Sequence, residues 1–199
     1  MAIQAETVAS TFIAAVRRLY AEVPDEAARW EEIAALLRDL LAEPRLQAQS
    51  AAWPECGQGG PDQRAENLLF YEDPDYGFVI NGLIKAPHKR TAIHDHAQLW
   101  TAYGVLAGHE TIERYERLDD GTRPDYAEVR QTAGFAVGPG TVDLVPPWQI
   151  HAEASGPERT VAVIVRSGKP GAFLQNRFDP ATNRTWQGYG PVQIPYALS

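Results

Sequence analysis

Thr91-Ala92-Ile93-His94-Asp95-His96 is the stretch around which the rest of the chain is organised. It reads as a β-strand, and a strand sends residues i and i+2 to the same face. His94 and His96 therefore point the same way, close enough to share one ion, and imidazole is the commonest metal ligand in proteins. A third histidine, His151, ends the run Leu144-Val145-Pro146-Pro147-Trp148-Gln149-Ile150-His151. Two surface histidines on an edge strand would give the same short His-x-His motif. The surroundings favour a metal site instead. The pair precedes a β-rich run ending in Gly104 and Gly108, and His151 follows Gly138-Pro139-Gly140, a turn that sets up a returning strand. Enough chain lies between for several strands to bring His151 back to the pair.

A chain of 199 residues with a hydrophobic share of 44% suits one domain with a sizeable core. A formal charge of −8 and the lack of a basic stripe argue against a nucleic-acid partner. No apolar run is long enough to cross a membrane. The opening Met1-Ala2-Ile3-Gln4-Ala5-Glu6 lacks the basic start and apolar core of a signal peptide. The single cysteine, Cys56, rules out an intrachain disulfide. A cytoplasmic location is expected, with Cys56 an incidental thiol.

Residues 6–21 and 25–42 carry apolar side chains at helical spacing, among them Phe12 and Val16 in the first and Trp30, Ile33, Leu37 and Leu41 in the second. These two helices are expected to pack on a sheet. Residues 44–63 lose periodicity and read as a loop marked by Pro44, Pro54, Gly57, Gly59, Gly60 and Pro61. From residue 67 the pattern is β. Strands are expected over 67–71, 77–85, around His94, 99–106, 110–117, 135–137, 142–145, 150–154 and 160–166. Short strands at turn-punctuated spacing indicate an all-β sandwich or barrel with added helices. The Gly-, Pro- and Asn-bearing tail is expected to wrap the barrel. The division expected is a single domain over 1–199, with helices in 1–45, a β-barrel core in 65–168 and the tail in 169–199.

The order of His-x-His strand, Gly-rich turn, Pro-Gly turn and late lone histidine resembles the cupin superfamily. More narrowly, the chain resembles the cysteine dioxygenase and mercaptopropionate dioxygenase group. The carrying segments are Asn67-Leu68-Leu69, Ile93-His94-Asp95-His96, Gly104-Val105-Leu106-Ala107-Gly108, and Pro139-Gly140 through Ile150-His151. The helical pair and Phe178-Asp179-Pro180-Ala181-Thr182 also fit. The resemblance implies a cupin double-stranded β-helix, or jelly roll. It implies a mononuclear iron on three neutral histidines, His94, His96 and His151, with a small-molecule substrate and dioxygen as partners. Fe(II) is the ion implied, and such a donor set also accepts Zn, Ni or Mn. Asp95 falls on the other strand face, which suits a supporting or turn role. Other cupin branches add a glutamate ligand just after the pair. Here Ala97-Gln98-Leu99-Trp100-Thr101 offers no carboxylate, and Gln98 stands as a candidate fourth contact.

The departures are informative. Thiol dioxygenases carry a Ser-x-His-x-Tyr run on a late strand, where this chain has Ala162, Ile164 and Arg166. At the position of their substrate-binding arginine it has Glu66, with Arg64 two residues off, and Thr101 stands at the position of their crosslinking cysteine. An arginine inside an apolar barrel must be paired or bind an anion. Arg166 is therefore either a clamp for a substrate carboxylate or the partner of Glu153, which shares the face of His151. Tyr103 would bring a phenol toward the substrate or pack as an aromatic. His88 and His109 read as solvated. Three functions compete: an Fe(II) dioxygenase acting on a small carboxylate- or thiol-bearing molecule, a non-catalytic metal cupin that binds a small molecule, and a Zn- or Ni-dependent isomerase or hydrolase.

Overall fold

The structure is a computed structural model that describes residues 7–56 and 65–198. Helix α1 (Val8–Glu22) starts at Thr7, whose side chain accepts from the Ser10 N–H while its own N–H donates to Ser10. Helix α2 (Glu26–Leu41) starts at Asp25, whose carboxylate accepts from the Ala28 N–H. Each cap satisfies an amide that no helical carbonyl can reach. A third helix, α3 (Pro44–Ser50), occupies the start of the stretch expected to be a loop. Proline is accepted in a first turn, where its missing N–H costs nothing, so Pro44 opens this helix rather than breaking the chain. Gly57, Gly59, Gly60, Pro61 and Arg64 lie outside the described residues.

Among the described residues twelve strands follow: β1 (Ala65–Glu72), β2 (Val79–Lys85), β3 (Ile93–His94), β4 (Thr101–Ala107), β5 (Glu110–Arg117), β6 (Val129–Val137), β7 (Val142–Val145), β8 (Ile150–Ser155), β9 (Thr160–Arg166), β10 (Leu174–Asp179), β11 (Arg184–Tyr189) and β12 (Ile194–Pro195). They form two six-stranded sheets, ordered β12-β1-β2-β9-β4-β7 and β11-β10-β3-β8-β5-β6. The pairing is nested. β2 pairs with β9, β3 with β8, β4 with β7 and β5 with β6, all antiparallel. A long hairpin rolled on itself in this way is a jelly roll, the architecture that the resemblance implies.

Alternation sorts the side chains. On β9, Val161, Val163 and Val165 join Trp30, Ile33 and Leu37 of α2 in one buried cluster, while Ala162 and Ile164 join Tyr103, Val105 and Ile112 between the sheets. Both faces of β9 are covered, so the whole strand is buried. Helix α2 comes close because Gly104 has no side chain: a Cβ there would stand 2.8 Å from Leu41 Cδ1 and 3.1 Å from Leu37 Cδ2.

Three further elements differ from expectation. Strand β6 runs from Val129, well before Phe135, and the side chains between its two ends are exposed, so no apolar alternation announces it. Strand β3 is only two residues long, and His96 lies beyond it. The tail is not merely wrapped around the barrel. It adds strands to both sheets, with β10 beside β3 and β12 parallel to β1. Among the described residues, no helix is long and apolar enough to cross a membrane.

Candidate metal centre

The jelly roll brings the three histidines together. His94 on β3 and His151 on β8 are register partners, although far apart in sequence. The ring centroids of His94, His96 and His151 are 4.5 to 5.0 Å apart. His96 reaches the same point from a turn rather than from the strand. Asp95 builds that turn: its buried carboxylate accepts from the Ala97 N–H at 3.1 Å, the Asn176 N–H at 3.1 Å and Asn176 Nδ2 at 2.8 Å. Asp95 thus supports the site from outside it, and the tail strand β10 supplies the anchor.

Each imidazole is oriented through its far nitrogen. His94 Nδ1 meets the Ala92 carbonyl at 2.9 Å, and His151 Nδ1 meets the Gln149 carbonyl at 2.9 Å. His96 Nδ1 meets Thr101 Oγ1 at 3.0 Å. A carbonyl can only accept, so His94 and His151 carry their proton on Nδ1 and turn an unprotonated Nε2 inward. His94 Nε2 and His96 Nε2 are 3.2 Å apart, and the three ligand atoms all lie within 4.8 Å of one another. Nitrogens about 2.1 Å from one ion stand about 3.0 to 3.4 Å apart, so an ion would draw the widest pair together. His151 Nε2 is buried and has no hydrogen-bond partner. A buried acceptor left in that state is costly unless something electropositive faces it. The donor set and this orphaned nitrogen fit a divalent ion.

Electrostatics keep His94 and His96 ready. Burial first, and then the neighbouring His151, push the His94 pKa down to about 4, and the same causes hold His96 well below its ordinary value. Both are neutral ligands at pH 7. The backbone is strained nearby. Ala97 and Trp148 adopt left-handed φ values of 50° and 64°, unfavourable for residues with a Cβ. The Trp148 N–H donates to the Ala97 carbonyl at 2.8 Å. This single bond ties the turn after His96 to the turn before His151 and offsets the strain.

The remaining candidates fall into two groups. Arg166 is buried on the inner face of β9, and Nη1 donates to Asn81 Oδ1 at 3.2 Å while Nε is buried without a partner. The pairing with Glu153, one of the two alternatives for Arg166, is not among the ion pairs of the described residues. Glu153 turns to Thr91, whose hydroxyl donates to Oε2 at 2.9 Å, and to His151, whose Nε2 is 3.5 Å from Oε1. Burial lowers the Arg166 pKa to about 10, against the pull of Glu153 and Tyr103. It remains a cation at neutral pH. Tyr103 faces the interior, but its hydroxyl donates to Glu110 Oε2 at 2.8 Å, the oxygen that Lys85 Nζ also holds at 2.6 Å. Gln98 is exposed on the turn after His96, so its burial gives no support to a fourth contact. His88 and His109 are exposed, as expected. Sequence reasoning missed Thr101 as the support of His96, although alternation with Tyr103 on β4 places it inward. It also missed Asn81 and Asn176, for which the sequence carries no signal. A separate apolar groove of about 450 Å³, lined by Phe12, Leu46, Phe70 and Ile80 among others, holds no metal-ligating side chain.

No protein-family model matches the chain, and no curated protein matches its sequence. Solved structures of similar fold include the cupin domain of Schizosaccharomyces pombe Cnp3, at 9% identity over 54% of this chain and 66% of that one, TM-score 0.42. An oxalate oxidase in complex with the substrate analogue glycolate matches at 15% identity over 58% of this chain and 56% of its own, TM-score 0.44. A cupin superfamily protein from Desulfitobacterium hafniense matches at 17% identity over 54% of this chain and 80% of its own, TM-score 0.38. For the first two, the match spans less than two thirds of the other chain. These are likenesses of fold only, and the jelly roll rests on the strand pairing itself.

Proposed function

We propose that the protein is a metal-dependent cupin acting as an Fe(II) dioxygenase of the thiol dioxygenase kind, on a small substrate bearing a carboxylate or a thiol. The observation that carries this reading is the trio of imidazoles, each fixed through Nδ1, with the Nε2 atoms turned to one point. His94, His96 and His151 would hold the ion. When bound, Fe(II) would supply a Lewis-acidic, redox-active centre with positions open to substrate and dioxygen. Zn, Ni or Mn would suit the same nitrogens.

The chain's own residues supply the rest. Arg166 would hold the anionic end of the substrate. It is buried, cationic and partnered only by a neutral amide among the described residues, so a carboxylate would satisfy its free N–H groups. Ala162 and Ile164 line the interior beside it and exclude water. The same two residues favour a second reading, a non-catalytic metal cupin that binds a small molecule. Where thiol dioxygenases carry Ser-x-His-x-Tyr, this chain has Ala162, Ile164 and Arg166, with no imidazole, hydroxyl or phenol among them. Metal analysis of anaerobically purified protein, followed by dioxygen uptake with a panel of thiols and small carboxylates, separates the two. Iron with substrate-dependent uptake supports the dioxygenase. Iron without uptake across the panel supports the binder.

A further inference from the structure

We propose that Glu153 is a fourth protein ligand of the ion held by His94, His96 and His151. The inference rests on the reading of the trio as a metal centre, and it assigns Glu153 a place in the coordination shell rather than behind it. Glu153 and His151 are two residues apart on β8 and face the same way. Both are buried, at 6% and 0% exposure. Glu153 Oε1 is 3.5 Å from His151 Nε2, the nitrogen that faces the trio.

His151 Nδ1 faces the Gln149 carbonyl, so Nε2 is the ring nitrogen turned to Glu153. A ring nitrogen and a carboxylate oxygen thus meet in a buried space, where a cation shared between them, a proton or a metal ion, makes the contact favourable. The distance suits an ion: ligands about 2.1 Å from one metal stand about 3.0 Å apart on an octahedral edge and about 3.4 Å apart on a tetrahedral one. An N–H···O bond would close to about 2.9 Å.

The carboxylate is also aimed and left available. Thr91 Oγ1 holds Oε2 at 2.9 Å and accepts from the Glu153 N–H at 3.0 Å, which fixes the side chain. Neither buried cation nearby is bonded to it: Arg166 Nη1 donates to Asn81 and Lys85 Nζ to Glu110. With Glu153 bound, one of the ion's two charges is neutralised. An octahedral ion then keeps two open positions rather than three, room for dioxygen and one substrate atom. A substrate gripping the ion through two atoms would have to displace either dioxygen or Glu153.

Chelator-treated full-length protein titrated with Co2+ under nitrogen tests this, comparing wild type with Glu153→Gln and Glu153→Asp. The aspartate keeps the charge but is one methylene too short to reach. As a ligand, Glu153 predicts at least about tenfold weaker binding in both variants, with shifted visible ligand-field bands. Wild-type affinity and bands in E153Q overturn the proposal and leave the histidine centre standing. So does an E153D protein that keeps both while E153Q loses them, since charge alone would then suffice. Wild type that binds no Co2+ overturns the centre itself. Melting curves of the metal-free proteins confirm that each variant folds, and either variant alone decides the outcome if the other does not.

Discussion

Acidification of the metal-free protein is the perturbation whose size the structure best defines. The His94 pKa is pushed from 6.5 to about 4, chiefly by burial. Between those values the unfolded chain binds a proton that the folded chain refuses. Stability is therefore fully present above pH 6.5 and is lost as pH falls toward 4. For one such group the loss at pH 5 is about 2 kcal/mol, a large share of the roughly 5–15 kcal/mol that holds a domain together. His94 is partly exposed, so solvent screens some of this and about 1–2 kcal/mol is expected from it. His96 shifts the same way and adds to the loss. Urea unfolding of chelator-treated protein, followed by tryptophan fluorescence at pH 7.5, 6 and 5, measures the slope. His94→Gln should flatten it. A stability that stays level from pH 7.5 to pH 5, or a slope that His94→Gln does not reduce, refutes the account of His94 and His96 as neutral buried bases.

Other outcomes follow from single contacts. Lys85→Met or Glu110→Leu alone leaves a buried charge unpaired and should cost about 3–5 kcal/mol in chemical denaturation, whereas the double variant should recover most of that. Thr101→Val removes the partner of His96 Nδ1 and should weaken divalent-ion binding by about ten- to a hundredfold in a competition titration, at little cost to the metal-free fold. Arg166→Met should raise KM for a carboxylate substrate by about tenfold or more if the guanidinium clamps it. An unchanged KM with a lower Tm would assign Arg166 to structure alone.

The legible parts of this sequence are those where burial writes a pattern. Strands β5, β7 and β9 can be bounded to the residue because turn signals flank them, and because apolar residues fill β9. Strand β6 and the three tail strands have largely exposed or mixed side chains, so their hydrogen-bonding partners leave no trace in composition. The histidine trio is legible through its flanking turns, although the period-two argument covers only His94. His96 converges through a turn built by Asp95 and Asn176, a contact between distant segments that no local rule encodes. Alternation correctly puts Arg166 and Glu153 inside. It cannot tell that Asn81 and Thr91 compete for them, because those partners arrive from distant segments of the chain.

Nested pairing has a consequence for biosynthesis. His94 and His151 become neighbours only when β3 meets β8, and those strands flank everything from β4 to β7. A chain emerging from the ribosome carries His94 and His96 early, but it offers an ion two nitrogens at most until the second half has been made and rolled into place. Tight loading therefore waits for closure. An ion held by the trio would stabilise the closed roll by mass action and work as a clasp on a finished barrel rather than as a seed for it.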